Sequence, residues 1–123
     1  MTRTKIETAH APDPAGPYSQ GIRTGNLVFL AGQGPNRPDG TRPDGFPAQA
    51  EQALQNLQAV ARAAGGELGN AVRVGAYLRD MANFAAWNEA YVRYFSEPYP
   101  ARTTIQSDLP FEVEIDAVLE LPS

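Results

Sequence analysis

Leu27-Val28-Phe29-Leu30-Ala31 is apolar at every position. A strand with one face in a core and the other in water alternates apolar with polar residues, so this run asks for cover on both faces. Just before it, Gly25-Asn26 supplies a tight turn that tolerates positive φ, and Gly21 to Ala31 reads as a hairpin. Just after it, Gly32-Gln33-Gly34-Pro35 closes the strand. Upstream, Lys5 to Thr8 reads as a short first strand and His10 to Tyr18, rich in proline, as an ordered loop or lid. Downstream, Asn36 to Gly45 holds two RPDG turns. Pro47 to Ala64 then carries Ala50, Ala53, Leu54, Leu57, Val60, Ala61 and Ala64 on one helical face, with Gly65-Gly66 as its stop. Val72, Val74, Ala76 and Leu78 alternate as a strand. Asp80 is placed to cap a second helix whose stripe is Phe84, Trp87, Asn88, Tyr91, Tyr94 and Phe95, ended by Pro98. Thr103, Thr104 and Ile105 favour another strand, and Glu112 to Leu121 alternates as the last. The order is β-β-β-α-β-α-β-β. Two helices cover one face of one sheet, so the class is α+β, and the other face is left for a further copy of the chain.

Size and composition narrow the function. The 123 residues suit a single domain, 1–123. There is no cysteine, which excludes disulfides and thiolate chemistry, and the one histidine, His10, makes a histidine metal site unsupported. A net charge of −4, with ten scattered basic residues, argues against nucleic acid as a partner. The opening MTRTKIETAH has no apolar core of a signal peptide, and no run approaches the ~20 apolar residues of a membrane span. The chain reads as soluble and cytoplasmic, with no membrane partner.

Several residues have chemistry to offer. Arg102 follows Pro98 and Pro100, which stiffen the chain, and precedes a β-branched run. There, where a helix has ended and a strand begins, a planar guanidinium can be aimed at a carboxylate. Glu114 lies on the non-core face of the last strand, Tyr18 closes the proline-rich loop, and the backbone at Ala31-Gly32 lets a ligand come close. Each also has a plainer reading: a surface ion pair for Arg102 and Glu114, loop packing for Tyr18, a bulge at Gly32, and loop bracing for Asn88. The chain has no P-loop and no dinucleotide fingerprint.

The motifs GPYSQG (Gly16 to Gly21), GNLVFLAGQGP (Gly25 to Pro35), NFAAWNEAYVRYF (Asn83 to Phe95), PARTT (Pro100 to Thr104) and VEIDA (Val113 to Ala117) together resemble the RidA/YjgF family, over nearly the whole chain and in order. The resemblance implies a chorismate-mutase-like fold with one mixed β-sheet, a homotrimer, and ligand sites in the clefts between subunits. It implies an enamine/imine deaminase that hydrolyses 2-aminoacrylate and related imines, released by pyridoxal-phosphate enzymes, to 2-keto acids and ammonia. No cofactor and no metal are implied. Carried over by position, Arg102 would hold the substrate carboxylate with help from the Thr104 amide, and Glu114 would orient or activate water. Tyr18 would line the pocket, Gly32 would offer backbone contacts, and Asn88 would shape the site.

The chain departs from the family in three places. Ala31 stands where many members have serine, Thr104 where many have cysteine, and the connection Asp108-Leu109-Pro110-Phe111 is shorter than usual. Two other functions compete with the deaminase. One is a non-catalytic protein that binds or senses small 2-keto or amino acids through the same Arg102. The other is an endoribonuclease, an activity attached to some relatives, which the acidic balance and the lack of a histidine pair disfavour.

Overall fold

The computed structural model describes residues 2–122. Its elements are β1 (Arg3–Ile6), β2 (Gly21–Thr24), β3 (Leu27–Gln33), α1 (Phe46–Ala63), β4 (Ala71–Leu78), α2 (Phe84–Tyr91), β5 (Ala101–Gln106) and β6 (Val113–Glu120). Short 3-10 turns at Leu68–Asn70 and Met81–Asn83 precede β4 and α2. The strands form one six-stranded sheet in the order β1-β2-β3-β6-β4-β5. Every neighbouring pair is antiparallel except β4 and β5, which run parallel. Parallel neighbours need a crossover, and α2 supplies it. The sheet is therefore mixed, as the resemblance implies, and the class is α+β.

The element order matches the expectation, and the boundaries move for local reasons. β1 ends at Ile6 because the Thr8 amide leaves the ladder and donates to the Gln20 side chain at 2.7 Å. Asp80 caps the short 3-10 turn, accepting from the Ala82 amide at 2.9 Å, and α2 itself begins at Phe84. The helix ends at Tyr91, so Tyr94 and Phe95 lie beyond it, with Phe95 stacked on the Tyr91 ring at 4.2 Å. β5 starts at Ala101, which puts Arg102 inside the strand and not ahead of it.

Turn chemistry fixes the joints. Gly25 takes φ 61° between β2 and β3. Gly65 takes φ 90° after α1, where the Gly66 amide donates back to Ala61 and the Gly65 amide to Arg62, a paired C-terminal cap. Pro47 sits in the first turn of α1, where no helical N–H is lost.

The core lies between one sheet face and the helices. Val28, Leu30, Val74, Val113, Ile115 and Leu119 from the sheet meet Ala53, Leu54, Leu57, Val60 and Ala61 of α1 and Trp87 of α2, all buried. The small residues on α1 let it approach the strands closely. The opposite face is open and mixed, with apolar side chains among Arg73, Glu114 and Asp116. Phe29 is 46% exposed and Ile105 48%, with Val72 45% exposed at a bulge in β4. Within one chain the run Leu27 to Ala31 is thus covered on one side only. Among the described residues no helix is long and apolar enough to cross a membrane.

Three buried amide side chains tie loops to this frame. Gln20 donates to the carbonyls of Thr8, Ala11 and Pro12. Gln49 donates to the Pro43 carbonyl and accepts from the Glu112 amide. Asn56, 1% exposed, donates to the carbonyls of Gly34 and Asn36 at 3.0 and 2.7 Å. Truncating it strands two carbonyls, and an unsatisfied buried polar group costs about 1–3 kcal/mol. Asn56→Ala is expected to lower the unfolding free energy by roughly that amount in urea titration, with an unchanged m-value.

Candidate functional site

Sheet register decides which candidates can meet. Residues opposite one another on adjacent strands share a face. Arg102 is in register with Val74, then Ala117, then Leu30, so it points to the helix face. Thr104 follows it there, aligned with Ala76 and Ile115. Glu114 is aligned with Tyr77 and Ile105 on the open face. The sheet itself stands between Arg102 and Glu114 of the same chain.

On the helix face, Arg102 projects from β5, the outermost strand, beneath α2. One Nη donates to Asn88 Oδ1 at 2.8 Å. The guanidinium lies over the Tyr91 ring, 4.6 Å from its centroid, and 5.7 Å from that of Phe84. Among the described residues no carboxylate pairs with it. Asn88, the polar member of an aromatic stripe, thus aims the guanidinium and does not brace a loop. Asn88, Tyr91 and Arg102, with Val92, Tyr99 and Pro100, line a cleft of about 310 Å3. Burial pushes the Tyr91 phenol up to about 12, against the opposing pull of the Arg102 charge, so it stays neutral. The Tyr91 hydroxyl and Thr104 Oγ1 are buried without a hydrogen-bond partner.

On the other side, Tyr18, Gly32 and Glu114 line a second cleft, of about 250 Å3, together with Gln20, Asn36 and Phe111. Tyr18 is 51% exposed, and its hydroxyl accepts from the Ala15 amide at 3.2 Å. Ala31 donates its amide to the Gln20 carbonyl at 2.9 Å, just where the β3–β6 register shifts between Leu30 and Gln33. Gly32 follows in that irregular stretch. A Cβ there would stand 2.6 Å from Glu114 Oε2, so only glycine leaves the carboxylate its present place. The Glu114 carboxyl is raised above the usual range, first by burial and then by the neighbouring Asp116 charge. Asp116 is itself held by the Tyr77 hydroxyl at 2.8 Å and the Gly75 amide at 3.2 Å. Among the described residues no group of three or more His, Asp and Glu could hold a metal ion.

One chain therefore sorts the candidates into two clefts: Arg102 and Asn88 lie in one on the helix side, and Glu114, Gly32 and Tyr18 in the other. The family model described as Endoribonuclease L-PSP matches residues 8–120. The chain belongs to the RidA/YjgF family. It is 45% identical over 118 residues to a RutC family protein of Pyrococcus horikoshii, covering 92% of this chain and 94% of that one. It is 37% identical over 121 residues to the 2-iminobutanoate/2-iminopropanoate deaminase of Escherichia coli K12, covering 94% of each. RidA from the Antarctic bacterium Psychrobacter sp. PAMC 21119 superposes with a TM-score of 0.91 at 41% identity, over 96% of this chain and 99% of that one.

The sequence also held signals that went unread. Asn56 interrupts the apolar stripe of α1, and a polar residue at a core position marks a buried bond; here it fixes Gly34 and Asn36 beside the second cleft. Phe111 is the lone aromatic of the short connection before β6, and it forms a wall of that cleft. A methyl group at position 32 displaces only the flexible end of Glu114. Gly32→Ala is expected to leave thermal stability within about 1 kcal/mol, the cost of a small surface-like change, while its crystal structure shows the carboxylate turned away from the cleft.

Proposed function

We propose that this protein hydrolyses reactive enamines and imines of the 2-aminoacrylate class, released by pyridoxal-phosphate enzymes, to 2-keto acids and ammonia. The sites are clefts between copies in a homotrimer of chorismate-mutase-like subunits. The observation that carries this reading is Arg102: a guanidinium aimed by Asn88 into an open, largely apolar cleft, with no acidic partner among the described residues. A charge held this way is matched to an incoming carboxylate.

The two half-sites support the assembly. Arg102 and Glu114 act on one small molecule only if they come from different copies, because the sheet separates them in a single chain. The exposed apolar side chains of the open face, Phe29 and Ile105, are ones that a neighbouring copy would cover. β5, paired on one side only, leaves backbone groups near Thr104 available to a ligand.

The chemistry suits these groups. Arg102 holds the carboxylate and so fixes the adjacent C=N carbon. Water attacks that carbon as the π electrons move to nitrogen, and Glu114 accepts the water's proton. Glu114 returns that proton to the carbinolamine nitrogen, and ammonia leaves with the C–N electron pair as the hydroxyl gives its proton to Glu114 and becomes C=O. Protonated imines are strongly electrophilic, so positioning supplies most of what is needed. A carboxylate with raised proton affinity is the better base near neutrality.

The test is a coupled assay in which an amino-acid-deaminating enzyme supplies imines of several amino acids. Wild type is expected to speed keto-acid release, and Arg102→Ala to lose roughly 10- to 1,000-fold in kcat/KM, the equivalent of one charge-assisted bond or two. Binding of 2-keto acids without turnover would make the protein a sensor, and a monomer in light scattering would remove the shared cleft. Because Glu114 works ionised, kcat/KM should fall as the pH drops through its raised pKa. Asp116→Asn, by removing the nearby charge, should move that acid limb to lower pH.

A further inference from the structure

Phe111 stands in the wall of the Glu114 cleft, and its position is set from both sides. One edge of the ring rests on bare backbone at Gly34, where an added Cβ would lie 2.6 Å from Phe111 Cζ and 2.9 Å from Cε1. Over the ring sits the Arg42 guanidinium, 5.1 Å from the centroid. Arg42 is anchored in turn: Nη1 donates to the Pro110 carbonyl at 3.1 Å and Nε to Asn36 Oδ1 at 2.8 Å. Asn56 holds Gly34 and Asn36, and Gln49 holds the Glu112 amide at 2.8 Å, so the residues flanking the ring are fixed to α1. The 36–45 turns and the short 108–111 connection, which do not touch the proposed chemistry, thus converge on one aromatic side chain.

We infer that Phe111, clamped by Arg42 against Gly34, is the wall that limits the length of the substrate side chain. The inference rests on the deaminase reading and extends it to substrate class. The reacting carbon carries a carboxylate, the C=N group and one carbon substituent. With the carboxylate directed to Arg102 and the attacked face to Glu114, the substituent is left facing the wall of the cleft that holds Glu114. A fixed ring there favours imines of three or four carbons over branched or longer ones. Phe111 is then a specificity-determining residue, and Arg42 a positioning residue that acts through it.

The experiment measures kcat/KM for wild type, Phe111→Ala, Phe111→Leu, Arg42→Ala and Arg42→Lys on alanine-derived and leucine-derived imines. Calorimetric binding of 2-keto acids of three to six carbons runs beside it. Phe111→Ala should raise the six-carbon to three-carbon ratio roughly tenfold or more, the scale of a few methylenes in an apolar pocket, through KM more than kcat. Phe111→Leu should fall between and guards against a misfolded alanine variant. Arg42→Ala should shift the ratio the same way by less, and Arg42→Lys, which keeps a cation over the ring, should restore part of it. A ratio unchanged in both Phe111 variants, or equal losses on every imine, would overturn the inference. Wild type that binds keto acids without hydrolysing imines overturns the deaminase reading alone, and the affinity ladder then decides Phe111. Wild type that does neither overturns both.

Discussion

Alternation along a β-strand governs this molecule. Successive side chains must leave opposite faces of the sheet, so Arg102 on β5 and Glu114 on β6 cannot serve one small ligand from within one chain. The same rule gives the sheet an inner face packed on α1 and α2 and an outer face bearing Phe29, Ile105 and Asp116. On the proposed reading, backbone geometry would link the chemistry to association.

The two clefts are organised by different contacts. The Arg102 side chain is held by aromatic and amide contacts from α2, so its aim depends on the packing of Tyr91 and the placement of Asn88. The Glu114 side chain is shaped by what is missing, the side chain at Gly32, and by its acidic neighbour, which Tyr77 keeps in place. The first arrangement fixes the direction of a charge; the second raises the proton affinity of a carboxylate.

Much of the fold was legible because it rests on local pattern. The helical stripe of α1, its glycine stop and the alternation of β6 each encode one element without outside help. Arg102, Glu114, Tyr18, Gly32, Asn88 and Thr104 could be singled out by residue type and motif, and the fold places them on two sides of the sheet. What was not legible needed distant partners. The role of Asn88 depends on Arg102 arriving from a strand 14 residues later. That of Phe111 depends on Arg42, 68 positions before the neighbouring Pro110 carbonyl is reached from the other direction. The boundaries of β1 and α2 moved where side chains took over backbone bonds, at Gln20 and Asp80, a competition that pattern alone does not weigh.

The amide anchors reach beyond the cleft they shape. Gln20, Gln49 and Asn56 are themselves buried, and through them the irregular segments near residues 8–12, 34–36, 43 and 112 hang from the core. Segments secured this way cannot fray one at a time, since releasing any of them uncovers a polar group in the interior. Amide hydrogen exchange in those stretches would then follow whole-molecule opening, and a protease would find little slack to cut within them.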